Sequence, residues 1–348
     1  MSNKIFAESF SPEELARLAN LQYILDDESG FARQRNGSGF YYSNGDSRKL
    51  RDQRQIKRIE ALTIPPAWTD VWICRAPDGH LQATGRDARG RKQYIYHERW
   101  REISNVAKFF RLTPCTRFMP KLRLRVSQDL RSRGLNRVRV LAGMVALLDL
   151  TSIRIGNEEY VRENGSYGLA TLRNRHVIIS GRQAILRFRA KAGLHREVMV
   201  DDPRLVHLLK QLKSLRGAHV FQYLESGEVH AADAIAVNEY LRERTGHPYT
   251  AKDFRTWKAS ALAAGRLYDE RAVEKLARRK SIVRKTIAAV SNELGNTPTV
   301  CRKYYIHPAL IDAFLNGEYS TIFAHAAVRR NSSLTRDEQL LARFLRSR

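Results

Sequence analysis

The chain has 348 residues, enough for one large domain or two ordinary ones, and its 43% hydrophobic content argues against general disorder. It carries 61 Lys and Arg against 36 Asp and Glu, a formal net charge of +25. A field of that size costs self-repulsion and serves no enzyme of small neutral metabolites, so it points to a polyanion, most often nucleic acid. Of the basic residues 46 are Arg, the better bidentate phosphate ligand. Thermal adaptation usually raises Glu alongside Lys, which is not the pattern here. The charge is also uneven: residues 1–100 are net +3 and residues 101–348 net +22. Cys74, Cys115 and Cys301 are odd in number and far apart, which suggests neither a disulfide framework nor a zinc ribbon. Met1–Phe10, with Lys4, Glu8 and Ser9, does not read as a secretory signal. The longest apolar run, Val140–Leu148, falls far short of the ~20 residues of a membrane helix, so the expectation is a reduced, cytoplasmic protein with no membrane partner.

In chain order, Ser11, Pro12 and Glu14 form a capping-box start for a helix through Leu15 and Leu18. From Gly30 to His97, the turn signals Gly37-Ser38-Gly39, Asn44-Gly45 and Asp78-Gly79 separate β-rich runs at Phe40–Tyr42, Val71–Ile73 and Tyr94–Tyr96. A short helix, Leu50–Leu62, interrupts them. After Trp100 the pattern turns helical, with one helix through Leu122, Val126 and Leu130 and an apolar one from Val138 to Leu150. Residues 176–200 read as three short strands, with Lys191 presented by a tight Ala190–Gly193 loop between the second and third. Asp202-Pro203 caps a new helix, and further helices are expected over Ala232–Arg244, Thr256–Tyr268, Glu270–Leu294 and Ala309–Gly317.

Nucleotide and metal motifs are missing. Gly85–Lys92 has glycines at P-loop separation, but Arg91 and Lys92 stand where Lys and Ser/Thr belong, so it reads as a basic hairpin. There is no His-Glu-x-x-His or paired Asp-x-Asp box, so no metal and no cofactor are expected. A nucleic-acid enzyme lacking both must stabilise phosphoryl charge with side chains. Four stretches stand out: Thr151–Tyr160 around Arg154, the Lys191 turn, Lys252-Asp253-Phe254-Arg255, and Leu294–Pro298 with Tyr304-Tyr305 after it. Any one Arg in so basic a chain is far more often a solvated charge.

The order of these stretches resembles the active site of type IB DNA topoisomerases, most closely the compact bacterial and poxvirus-like enzymes. Ile64–Ile73, Gly79–Gly85 and Gln93–His97 resemble the first domain of the bacterial members. The resemblance implies an α+β fold: a small β-rich domain, residues 1–98, and a larger, mainly helical catalytic domain with a three-stranded antiparallel sheet, residues 99–348. It implies relaxation of supercoiled duplex DNA by a monomer that clamps the DNA at the nucleoid, without ATP or metal. Tyr305 would form a 3′-phosphotyrosine, Arg154 and Arg255 would hold the non-bridging oxygens, and Lys191 would protonate the leaving 5′-oxygen. Asn296 takes the place that many members fill with His. Gln93, Tyr94, Tyr96, Tyr160 and Lys252 would contact DNA. Tyr304 is the competing nucleophile, but the spacing of nine from Asn296 favours Tyr305. A tyrosine recombinase is the nearest alternative, although that family generally has His at the position of Lys252. A catalytically silent DNA-binding protein is the other.

Overall fold

The computed structural model describes residues 10–348 apart from 38, 46, 47 and 331. Lys4, Glu8, Ser9 and Ser38 of the readings above lie outside the described residues. The chain divides into two compact units, one ending at Phe110 and the other running Arg111–Arg348.

In the first unit, α1 (Pro12–Leu18) starts as its sequence requires. Ser11 Oγ accepts from the Glu14 N–H at 3.2 Å, and the Ser11 N–H donates to the Glu14 carboxylate at 2.7 Å. Strands β1 (Phe31–Asn36), β2 (Gly39–Ser43), β3 (Thr69–Ile73), β4 (Leu81–Arg86) and β5 (Lys92–Tyr96) form one antiparallel sheet in the order β2-β1-β3-β4-β5. Phe31, Val71, Ile73 and Ala83 share one buried cluster with Leu50 and with Ile59 of α2 (Gln53–Ala61). That helix begins three residues after the expected Leu50, because Asp52 caps the Arg54 N–H at 2.8 Å while Leu50 is drawn into the core. The Gly85–Lys92 stretch is a β4–β5 hairpin turn. Its Arg89 and Arg91 amides donate to the Asp87 carboxylate at 3.0 and 3.1 Å, so the loop already encloses an anion of its own. The Arg91 guanidinium holds Asp87 down to about 2. Helix α3 (Glu98–Phe110) follows the expected domain boundary at residue 98 but groups with this unit: it packs on α1, and Trp100 sets its ring edge on His80, centroids 4.6 Å apart.

In the second unit, α4 (Leu112–Asp129) leads to α5 (Arg137–Thr151), whose Val140–Val145, Leu147 and Leu148 are all buried. This is the central apolar helix that the sequence implies. After α6 (Glu158–Asn164) come β6 (Val177–Ser180), β7 (Gln183–Arg189) and β8 (His195–Val200), an antiparallel meander. Ala184, Leu186 and Phe188 alternate into the interior, as their period of two requires. Helix α7 (Pro203–Lys213) is capped by Asp202. A hairpin of β9 (Gln222–Glu225) and β10 (Glu228–Ala231) follows, and nothing in the helical reading of this region anticipated it. Its strands are four residues each and mostly exposed, too short to display a period.

The remaining helices are α8 (Ala234–Thr245), α9 (Ala251–Asp269), α10 (Leu276–Leu294), α11 (Pro298–Tyr304), α12 (Pro308–Asn316), α13 (Tyr319–Ile322) and α14 (Arg336–Arg346). Helix α9 starts five residues before the expected Thr256 because Thr250 and Asp253 cap one another. Helix α10 starts six residues after the expected Glu270. The basic C-terminal stretch ends in α14, whose Leu340, Leu341 and Phe344 are buried, chiefly against α9. No helix among the described residues is long and apolar enough to cross a membrane.

Candidate active site

The site grows from the ends of α5, α10 and α11. Thr151 closes α5, and Ser152 turns the chain through a left-handed φ of 53°. Arg154 then runs beside Gly168: the Leu169 N–H donates to the Arg154 carbonyl at 2.8 Å, and the Ala170 N–H to that of Ile155 at 2.7 Å. Gly156, at φ +86°, approaches Gly168 so closely that an added Cβ would lie 2.8 Å from the Gly168 Cα. Two glycines therefore fix the arginine's backbone.

Helix α10 ends at Gly295 with φ +60°, where the N–H groups of Gly295 and Asn296 bond back to the carbonyls of Asn292 (3.1 Å) and Ser291 (2.9 Å). Such a glycine-based ending leaves the next carbonyls free. Three arginines take them. Arg196 of β8 donates to Glu293 O at 3.0 and 3.1 Å, Arg255 of α9 to Leu294 O at 2.9 Å, and Arg154 to Gly295 O at 3.4 Å. Arg154 also donates to Asn296 Oδ1, and Arg255 to the Ser152 carbonyl. With Oδ1 so engaged, the buried Asn296 Nδ2 has no hydrogen-bond partner.

Arg255 is only 4% exposed. Burial, then the neighbouring Arg154 charge, pushes its guanidinium down to about 10, with the Tyr305 phenol acting the other way. Burial likewise lowers Arg196, and Arg154 adds to the shift.

Tyr305 terminates α11, a helix started by Thr297 and Pro298 and anchored by buried Cys301. Its own carbonyl accepts from Ser260 Oγ at 3.1 Å, and its ring lies over the Arg255 guanidinium, 5.1 Å from carbon to centroid. Tyr304 turns the other way, 38% exposed, with Lys303 over its ring.

Arg154, Arg255, Asn296 and Tyr305 thus come together. Lys191 stands apart, exposed on its turn between β7 and β8, where Ala192 and Gly193 both have positive φ. Its Nζ lies 5.9 Å from the centre of the Tyr160 ring of α6. Lys252 is exposed one turn before Arg255, so the two cations that the spacing puts on one face differ sharply in burial. Gln93, Tyr94 and Tyr96 lie on β5 in the first unit; Tyr94 and Tyr96 stack at 5.9 Å, and Gln93 donates to Asp87 at 3.0 Å. Sequence reasoning missed Arg196 and Ser260, whose only signal is chain proximity to Lys191 and Arg255. Among the described residues, no group of three or more His, Cys, Asp or Glu could hold a metal ion.

The second unit is mainly helical with a small sheet and gathers arginines and a tyrosine at one helix end, an arrangement whose chemistry suits a phosphate-bearing substrate. Comparison with known proteins narrows this. The family of the eukaryotic DNA topoisomerase I catalytic core matches residues 97–316, and that of the bacterial DNA topoisomerase IB N-terminal domain matches residues 39–87. DNA topoisomerase 1B of Acanthamoeba polyphaga mimivirus is 32% identical over 82% of this chain and 88% of its own length. DNA topoisomerase I of Monkeypox virus is 22% identical, and DNA topoisomerase 1B of Vaccinia virus (strain Copenhagen) 21% identical, each over 75% of this chain and 82% of the relative. The chain belongs to the type IB DNA topoisomerases, isomerases that act on DNA.

Proposed function

We propose that the protein relaxes supercoiled duplex DNA through a transient nick in one strand and a 3′-phosphotyrosine intermediate, without ATP or metal. The observation that carries this reading is the convergence of Arg154, Arg255 and the unpartnered Asn296 amide on one helix end, beside the Tyr305 ring.

The Tyr305 oxygen attacks the phosphorus and passes its proton to water as the new P–O bond forms. The P–O5′ bond breaks, and Lys191 supplies the proton that the 5′-oxygen needs. Arg154 and Arg255 neutralise the non-bridging oxygens, their forks held by carbonyls before the substrate arrives. Asn296 Nδ2 adds one neutral donor. The intermediate conserves the bond energy as a phosphodiester, so resealing needs no nucleotide.

A single chain grips the duplex. Gln93, Tyr94 and Tyr96 from the β-rich N-terminal part (taken to residue 98) and Tyr160 and Lys252 from the catalytic part would touch phosphates and base edges. The test is plasmid relaxation in EDTA without ATP, together with denaturant trapping of a covalent adduct. A protein that binds DNA but neither relaxes it nor forms an adduct would refute the reading.

A further inference from the structure

The geometry points to Arg196 as a positioning residue that staples the Lys191 hairpin to the end of α10. Arg196 sits on β8 opposite Phe188, five residues beyond Lys191 and at the mouth of the same turn. Its guanidinium leaves the sheet and donates to Asn292 O at 3.4 Å and to Glu293 O at 3.0 and 3.1 Å. Those carbonyls belong to the helix ending whose next two, Leu294 and Gly295, seat Arg255 and Arg154. The added Cβ of any residue but glycine at 295 would lie 3.0 Å from Arg196 Nη1, so guanidinium and turn are fitted to each other.

The β7 arm of the hairpin has its own tie, from the Tyr167 N–H to Arg189 O at 2.8 Å. On the β8 arm, beyond the β7–β8 ladder, it is Arg196 that reaches α10. Among the described residues, Lys191 itself has no polar partner that would hold its side chain in place. Its reach is therefore set by the hairpin, and the hairpin's position relative to the arginine cluster is set by Arg196.

This inference rests on the general-acid reading of Lys191 above, and the experiment separates the two. Single-turnover cleavage is measured for wild type, Lys191→Ala, Arg196→Ala, Arg196→Lys and the double alanine variant. Each is given ordinary DNA and DNA whose scissile 5′-bridging oxygen is sulfur, which leaves as a thiolate needing no proton. Loss of an acid costs roughly 10²–10⁴-fold, and misplacing one by about an ångström roughly 10²-fold.

Arg196→Ala should be slow on the oxygen substrate, largely restored on the sulfur one, and should add nothing to Lys191→Ala. Arg196→Lys, which keeps a donor for Glu293 O, should recover part of the rate. A defect of equal size on both substrates would overturn the inference, because Arg196 would then act on the phosphate or through Arg154. Wild-type cleavage by Arg196→Ala would overturn it as well.

If Lys191→Ala is not rescued by sulfur, it is the acid assignment that fails. Arg196 is then judged by hydrogen exchange of the Ala190 and Gly193 amides, whose acceptors are Leu194 O and Ala190 O. Faster exchange there in Arg196→Ala, with α5 unchanged, upholds the staple; unchanged exchange ends it.

Discussion

A guanidinium has five N–H donors in a rigid fork, and Arg255 commits part of its fork to the carbonyls of Ser152 and Leu294 while its central carbon lies 5.1 Å from the Tyr305 ring centroid. A lysine cannot span both carbonyls and face the ring at once. Arg255→Lys should therefore lower cleavage by roughly 10²–10³-fold while DNA affinity changes little, measured by single-turnover cleavage beside filter binding. Tyr305→Phe removes only the nucleophilic oxygen and should abolish the adduct with binding intact. Tyr304→Phe, altered at an exposed ring, should still form one; a dead Tyr304→Phe beside an active Tyr305→Phe would shift the assignment by one residue. The order of Arg154, Lys191, Arg255, Asn296 and Tyr305 is distinctive enough in the sequence to nominate all five, and the fold brings four of them together while Lys191 stays on its own turn. Arg196 was not legible there, since an arginine inside a strand gives no sign of which neighbour it will reach.

His307 follows Tyr305 by two residues, and its ring caps α12 by accepting from the Ala309 N–H at 3.2 Å. Burial, helped by Arg348, pushes it from the ordinary 6.5 down to about 4. A histidine lowered in the fold costs nothing above its unfolded value. As pH falls through 6.5, the unfolded chain takes up a proton that the fold refuses, so stability declines towards pH 4. His176 is lowered to about 4 as well, by burial and then by Arg175 and Arg173, and adds in the same direction. Urea unfolding should show this loss between pH 6.5 and 4. His307→Asn, which keeps a capping oxygen, should flatten part of it.

At the scale of elements, α14 shows where sequence patterns mislead. Its arginines fit DNA contacts and a solvated end equally well and say nothing of packing, yet its Leu340, Leu341 and Phe344 stripe and its Thr335–Glu338 capping box are those of a docked helix. The docking is completed by a partly buried ion cluster around buried Glu338. Arg123 of α4 bonds Asp149 of α5 at 2.7 and 3.0 Å and Glu338 of α14 at 2.7 and 2.9 Å, and Trp257 of α9 donates to Glu338 at 2.8 Å. Helix α9 is the one that carries Arg255 and Ser260, so α14 braces the site from behind. Glu338→Ala leaves the Trp257 N–H without its acceptor and should destabilise by about 3–5 kcal/mol, read as a lower urea midpoint. The three-stranded meander and the central α5 were readable because strands of period two and a long apolar run survive in any context. The β9–β10 hairpin and α11 were not, since each is shorter than the window over which a period can be recognised.

For the whole molecule, the charge asymmetry and the site form one argument. Residues 101–348 hold nearly all of the net positive charge, +22 of +25, and the described ion pairs absorb only part of the arginine there. Lys191 and Lys252 are exposed, whereas Arg255 is buried and Arg154 half-buried. A duplex presents about one negative charge per 1.7 Å of axis, so a chain that grips it backbone-first releases many counterions. If six to ten phosphates are neutralised, affinity should fall roughly 10³–10⁵-fold between 50 and 200 mM salt. Lys252→Ala should shave that slope by about one counterion without altering which sequences are bound, because a phosphate contact carries no base information. Tight binding with a shallow slope would mean that the duplex is held by base edges or by stacking on Tyr94 and Tyr96, and that the excess charge of the second unit serves some other polyanion.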